Sequence, residues 1–146
     1  MLAEGASFVL GATTIQPLCL AERYVYAFLL EGEGKRVFLA PDETFQWEPP
    51  QDLGPLDLAL LPMGIVELDP FTRERRIPRA HPILQSEATF EQTLELVRRL
   101  NARQTVLSHI EEMDGLTIEA RRMLEERLRR DGLSVRFAFD TMVLEP

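Results

Sequence analysis

The stretch "TFEQTLELVRRLNARQTVLSH", residues 89–109, decides the fold. It joins a helix to a strand. Thr89 and Gln92 stand at capping-box spacing, where each side chain covers a backbone N–H at a helix start. Phe90, Leu94, Val97 and Leu100 follow at helical intervals. The pattern then changes: "QTVLSH" (104–109) is a short apolar run, the signature of a strand. The strand stops on His109, which is followed by Glu111, Glu112 and Asp114. An imidazole at a strand end asks for a reason.

Downstream the alternation repeats. Thr117 opens a second helix. Its capping box is incomplete, because Ala120 stands where Glu or Gln would close it, but Glu119 puts negative charge in the first turn. Ile118, Met123, Leu124 and Leu128 mark the expected apolar side. Asp131-Gly132 ends the helix with the glycine at a C-cap position. "LSVRFAFD" (133–140) reads as the last strand, with Val135, Phe137 and Phe139 alternating against Arg136 and Asp140. With the wholly apolar "LALLP" (58–62) before them, these elements predict parallel strands, right-handed crossovers and both helices on one sheet face.

Upstream the reading is β throughout. "SFVLG" and "TIQPLCL" come first. "YVYAFLLEGEGKRVFLAP" (24–41) is a hairpin turning at Gly32 and Gly34, both expected at positive φ. A loop punctuated by Pro49, Pro50 and Pro55 follows it. Residues 63–86 are irregular and rich in Pro and Arg, the kind of long loop that is usually functional. The fold class is α/β (α+β): a mixed β-sheet with helices on one face, forming a single domain over residues 1–146. Both faces of the hairpin are apolar, since Val25, Ala27 and Leu29 oppose Tyr24, Tyr26, Phe28 and Leu30. Two helices shield one face only, and monomers rarely expose a large apolar patch. The expected partner is a second copy of the chain or a separate segment. Phe45 and Trp47 are read as covers for the open face, with pocket lining as the alternative.

Composition narrows the function. The chain has 146 residues, 45% hydrophobic and 27% charged, the profile of a soluble globular domain. The net charge of −8 argues against a sequence-independent grip on nucleic acid, which needs cationic neutralisation of phosphates. Arginines cluster at 73–76 and 121–130 and read as solvated faces. The alternative for the first cluster is that the 63–86 loop binds an anionic molecule. No apolar run approaches the roughly 20 residues of a membrane span. The single cysteine, Cys19, excludes an internal disulfide and suits a cytoplasmic setting. It has no histidine near it in sequence, which argues against a thiol nucleophile.

"VFLAPDE" (37–43) ends on Asp42 and Glu43, as "TVLSH" ends on His109. If those strands are neighbours, a carboxylate and an imidazole meet at one sheet edge, and both suit zinc or another divalent transition metal. The alternative is metal-free: His109 as a satisfied strand-end residue and Asp42 as a turn cap. His81, before Pro82, reads as a loop residue.

The runs "YVYAFLLEGEGKRVFLAPDE", "GPLDLALLPMG", "ATFEQTLELVRRLNARQTVLSHIEE" and "SVRFAFDTMVLEP", taken in order, resemble the C-terminal half of a metallo-β-lactamase-fold hydrolase. They are most similar to the branch that contains cyclic-phosphate phosphodiesterases. The resemblance implies half of a four-layer αββα sandwich. It implies Asp42 as a metal-bridging carboxylate, His109 as the last histidine ligand, and Glu87 where that branch has a histidine assisting the leaving group. The family's HxHxDH motif is absent. Its middle histidine falls near "PLCLAE" (17–22), where Glu22 is the candidate oxygen ligand and a plain surface acid the alternative. The function implied is a phosphodiesterase-like hydrolase unit that is inactive as an isolated chain. The alternative is a non-catalytic homodimeric scaffold or binding module.

Overall fold

The computed structural model describes residues 6–21 and 24–146. Seven strands form one sheet in sequential order: β1 (Phe8–Leu10), β2 (Thr13–Cys19), β3 (Tyr26–Gly32), β4 (Lys35–Leu39), β5 (Leu58–Pro62), β6 (Gln104–Ser108) and β7 (Val135–Phe137). Pairing is antiparallel from β1 to β4 and parallel from β4 to β7. The sheet is therefore mixed, as the two halves of the sequence imply. The β3–β4 hairpin turns on Glu33 and Gly34, with φ of 52° and 75°. This corrects the expectation for Gly32, which stays in the strand. Two consecutive positive φ values are what a two-residue turn needs to match strand twist.

Helix α1 (Phe90–Leu100) begins with the full capping box of Thr89 and Gln92. Helix α2 (Ile118–Arg130) is capped by the Thr117 hydroxyl, which accepts from the Ala120 N–H. Both pack on the same sheet face. Ala27, Leu29, Phe38, Leu61, Leu107 and Phe137 meet Phe90, Leu96, Val97 and Leu100 of α1 and Leu124 and Leu128 of α2 in one core. A fully buried leucine such as Leu61 or Leu107 contributes about 2 kcal/mol. Leu96 joins the core, whereas Leu94 is only half-buried. Ile118 and Met123 depart from the expectation, with 57% and 58% of their surfaces exposed. Helix α2 flanks the edge strand β7, so a narrower stripe suffices. Phe139 is 60% exposed because β7 ends at Phe137, two residues earlier than its alternation with Phe139 suggested.

The opposite face follows from the register. Phe28 pairs with Leu39, Leu39 with Leu60, and Leu30 with Val37. These residues and Tyr26 are half-buried, and none belongs to the core. Trp47 does not cover them. It stacks on Phe38, on the helix side, with ring centroids 5.2 Å apart.

The long 63–86 loop is tied down by ion pairs. Arg73 reaches Glu91, Arg75 reaches Glu67, and Arg76 reaches Asp69. The 73–76 arginines thus face carboxylates of the chain itself. Asp69 also accepts from the Thr72 and Phe71 N–H groups. Those bonds, with Arg76, hold its carboxyl down at about 2. Among the described residues no helix is long and apolar enough to cross a membrane.

Candidate active site

A cavity of about 300 Å³ opens where the parallel strands end. Open parallel sheets place ligands there, because connections leave the strand ends and diverge. Asp42 and Glu43 follow β4; Pro62, Gly64 and Ile65 close β5; His109, Glu111 and Asp114 follow β6; and Ser86 and Glu87 arrive on the approach to α1. Asp42, Glu87 and His109 are thereby brought to one cavity by three separate segments. Glu22 lies outside the described residues. His81 caps the short 3-10 helix Pro82–Gln85, its Nδ1 accepting from the Ile83 N–H at 3.3 Å, which is a loop role.

The carboxylates divide by what they bind. Glu43 Oε1 accepts from the N–H groups of Thr44, Phe45 and, at 3.0 Å, Ala88. It ties the end of β4 to the start of α1. Asp114 is 6% exposed. It accepts from Glu111 N–H at 2.9 Å and Val66 N–H at 3.3 Å, and burial pushes its carboxyl up. Both acids are committed to backbone. Asp42 is exposed and makes no such bond among the described residues. His109 is half exposed, with Nε2 3.6 Å from Glu111 Oε1. Its φ of 53° is uncommon for a residue with a side chain, and histidine is among the types that tolerate it. Such backbone outliers gather at functional sites.

Burial raises the Glu87 carboxyl above its ordinary range. Repulsion from Glu43, Glu111 and Asp42 adds to this, while His109 opposes it. The cavity therefore joins one imidazole, one carboxyl that resists ionisation and one uncommitted carboxylate. A catalytic zinc site takes three protein ligands. Among the described residues no group of three or more His, Cys, Asp or Glu is placed to hold an ion. Asp42 and His109 are two donors, so the described residues do not fit a metal centre on their own.

Tyr24, Ile65 and Ser86 complete the wall and carried no signal in the sequence. Of the acids after His109, Glu111 does lie beside the imidazole. Asp114 instead serves backbone.

Comparison with known proteins bears on the fold. A Zn-dependent hydrolase assignment in the metallo-beta-lactamase superfamily, from Thermotoga maritima, matches with TM-score 0.50 and 18% identity, over 75% of this chain and 48% of that one. Zn²⁺-bound PqqB from Methylobacterium extorquens matches with TM-score 0.59 and 16% identity, over 99% and 51%. CmlA, a diiron beta-hydroxylase from Streptomyces venezuelae, matches with TM-score 0.59 and 14% identity, over 92% and 32%. At such identities the likeness is one of fold, and the chain spans about half the length or less of these structures. No curated protein is significantly similar in sequence. The family described as Beta-lactamase superfamily domain matches residues 2–110. The chain belongs to that family.

Proposed function

We propose that the chain is a phosphodiesterase-like hydrolase unit of this superfamily, corresponding to its C-terminal half and inactive alone. The observation that carries the reading is the convergence of Asp42, Glu87 and His109 on one cavity. Asp42 and His109 are the metal-facing pair. Zinc or another divalent transition metal is the cofactor in kind, in line with the zinc and diiron names of similar folds. Glu87 is the acid that assists the leaving group. A carboxyl raised by burial and by neighbouring carboxylates keeps its proton nearer to neutral pH, as a general acid requires. The ligands that the described residues lack come from a segment seated on the half-buried face of Tyr26, Phe28, Leu30, Val37, Leu39 and Leu60. A cytoplasmic setting suits the lone Cys19.

Metal content and hydrolysis of bis(p-nitrophenyl) phosphate test this together. The purified chain should hold no stoichiometric transition metal and show no turnover above buffer. Tight metal binding with turnover, both lost in His109→Ala, would show the chain to be a complete enzyme and overturn the reading. The second reading is a non-catalytic homodimer, favoured by the same half-buried face. It predicts that Asp42→Ala and His109→Ala leave stability and association unchanged.

A further inference from the structure

A second groove, of about 460 Å³, runs between α2 and the end of β7. It is separate from the cavity at His109 and shares no lining residue with it. Arg121, Arg122 and Arg136 line it, and among the described residues none of them has an ion-pair partner. The acid one helical turn from Arg121 is Glu125. Its Oε1 accepts instead from the Phe137 N–H at 2.6 Å, which caps the free edge of β7. Arg121 Nε is buried and has no hydrogen-bond partner among the described residues. Three arginines and one glutamate give the groove a local charge of +2, in a chain of net charge −8. Ile118 and Phe139 line the same groove and are 57% and 60% exposed.

We propose that this groove binds an organic phosphate, with the phosphate on the guanidinium groups and an apolar body against Ile118 and Phe139. Guanidinium forks match phosphate oxygens in pairs. A phosphate monoester carries about −1.5 to −2 at neutral pH, which balances the groove. A carboxylate would leave at least one arginine without a counter-charge. The volume lies within the roughly 300–1,000 Å³ of small-molecule sites. An anion reaching Arg121 would supply an acceptor to a guanidinium that the chain itself leaves short of one. The inference does not rest on the hydrolase reading.

Amide chemical-shift titration of the whole chain tests it, with phenyl phosphate as probe and inorganic phosphate and phenol as controls. Phenyl phosphate should give saturable shifts at residues 118–125 and 135–139. It should bind about tenfold tighter than inorganic phosphate, a difference of about 1.4 kcal/mol. Arg121→Gln and Arg122→Gln should each weaken it about tenfold, the loss expected when a charged hydrogen-bonding partner goes. Phe139→Ser should abolish the preference over inorganic phosphate. Circular dichroism checks folding; if Arg121→Gln misfolds, the exposed Arg122 carries the test. Shifts centred on His109 and Asp42, equal binding of inorganic phosphate, or undiminished binding by the folded Arg122→Gln variant would each overturn the proposal.

Discussion

Gly64→Ala should be among the most damaging single-methyl additions in this chain. Gly64 lies between β5 and α1 with φ of 77°. A side chain in that region costs about 1–2 kcal/mol. The added Cβ would sit 2.7 Å from the Ala88 carbonyl oxygen, 2.9 Å from the Thr89 carbonyl carbon and 2.9 Å from Thr93 Oγ1. Two of those atoms are backbone, and the backbone there is pinned. Ile65 N–H donates to Ala88 O and Phe90 N–H to Ile65 O, each at 2.9 Å. Overpacking of this kind adds about 1–3 kcal/mol. Gly34→Ala is the control: φ is 75° and nothing lies within 4 Å of the added carbon, so only the conformational cost applies. Urea unfolding followed by far-ultraviolet circular dichroism should place Gly64→Ala below Gly34→Ala by about 2 kcal/mol. The same shift should displace Ser86 and Glu87, which lead into the pinned segment. Equal destabilisation of the two variants would refute the close approach of the loop to α1.

Other outcomes follow from the same structure. Thr93 is 1% exposed and its hydroxyl has no partner among the described residues, so Thr93→Val should raise stability by about 1 kcal/mol in the same urea assay. The folded state holds Glu87 above its ordinary range, so its contribution is fullest below that range and falls away as pH rises through the folded value. Stability measured against pH should therefore decline less towards neutrality in Glu87→Gln than in the wild type. Asp69 is held at about 2 by backbone N–H groups and Arg76, so its contribution is present above the ordinary aspartate range and lost as pH falls through that value. Asp69→Asn should destabilise at neutral pH, with the gap closing in strong acid.

How much of this was legible in the sequence depended on how local the signal was. Capping at Thr89 and Thr117 and the 3.6-residue spacing after Phe90 are local, and α1 and α2 came out where they pointed. Alternation in β3 and β4 was equally local, and it carried the division into a packed face and a half-buried one. Phe139, Met123 and Ile118 misled because apolar character alone does not say where an edge strand stops or how much of a helix it covers. The direction of Trp47 was set by Phe38, a contact across the loop that no spacing encodes. At the cavity, Asp42 and His109 were legible as strand-end residues. The diversion of Glu43 and Asp114 to backbone N–H groups was not. Two of those bonds, Ala88 N–H to Glu43 and Val66 N–H to Asp114, span 45 and 48 residues and exist only once the sheet has formed.

Both helices pack on one sheet face; on the other Leu58 and Val106 are buried, while Phe28, Leu30, Val37, Leu39 and Leu60 are only half-buried, and the proposal is that another polypeptide completes their cover. Sedimentation of this 146-residue chain across the micromolar range tests it most directly. A self-associated species that Phe28→Asp or Leu30→Asp dissociates is the expected result. A well-behaved monomer for the wild-type chain throughout that range, with both variants indistinguishable from it, would contradict the account.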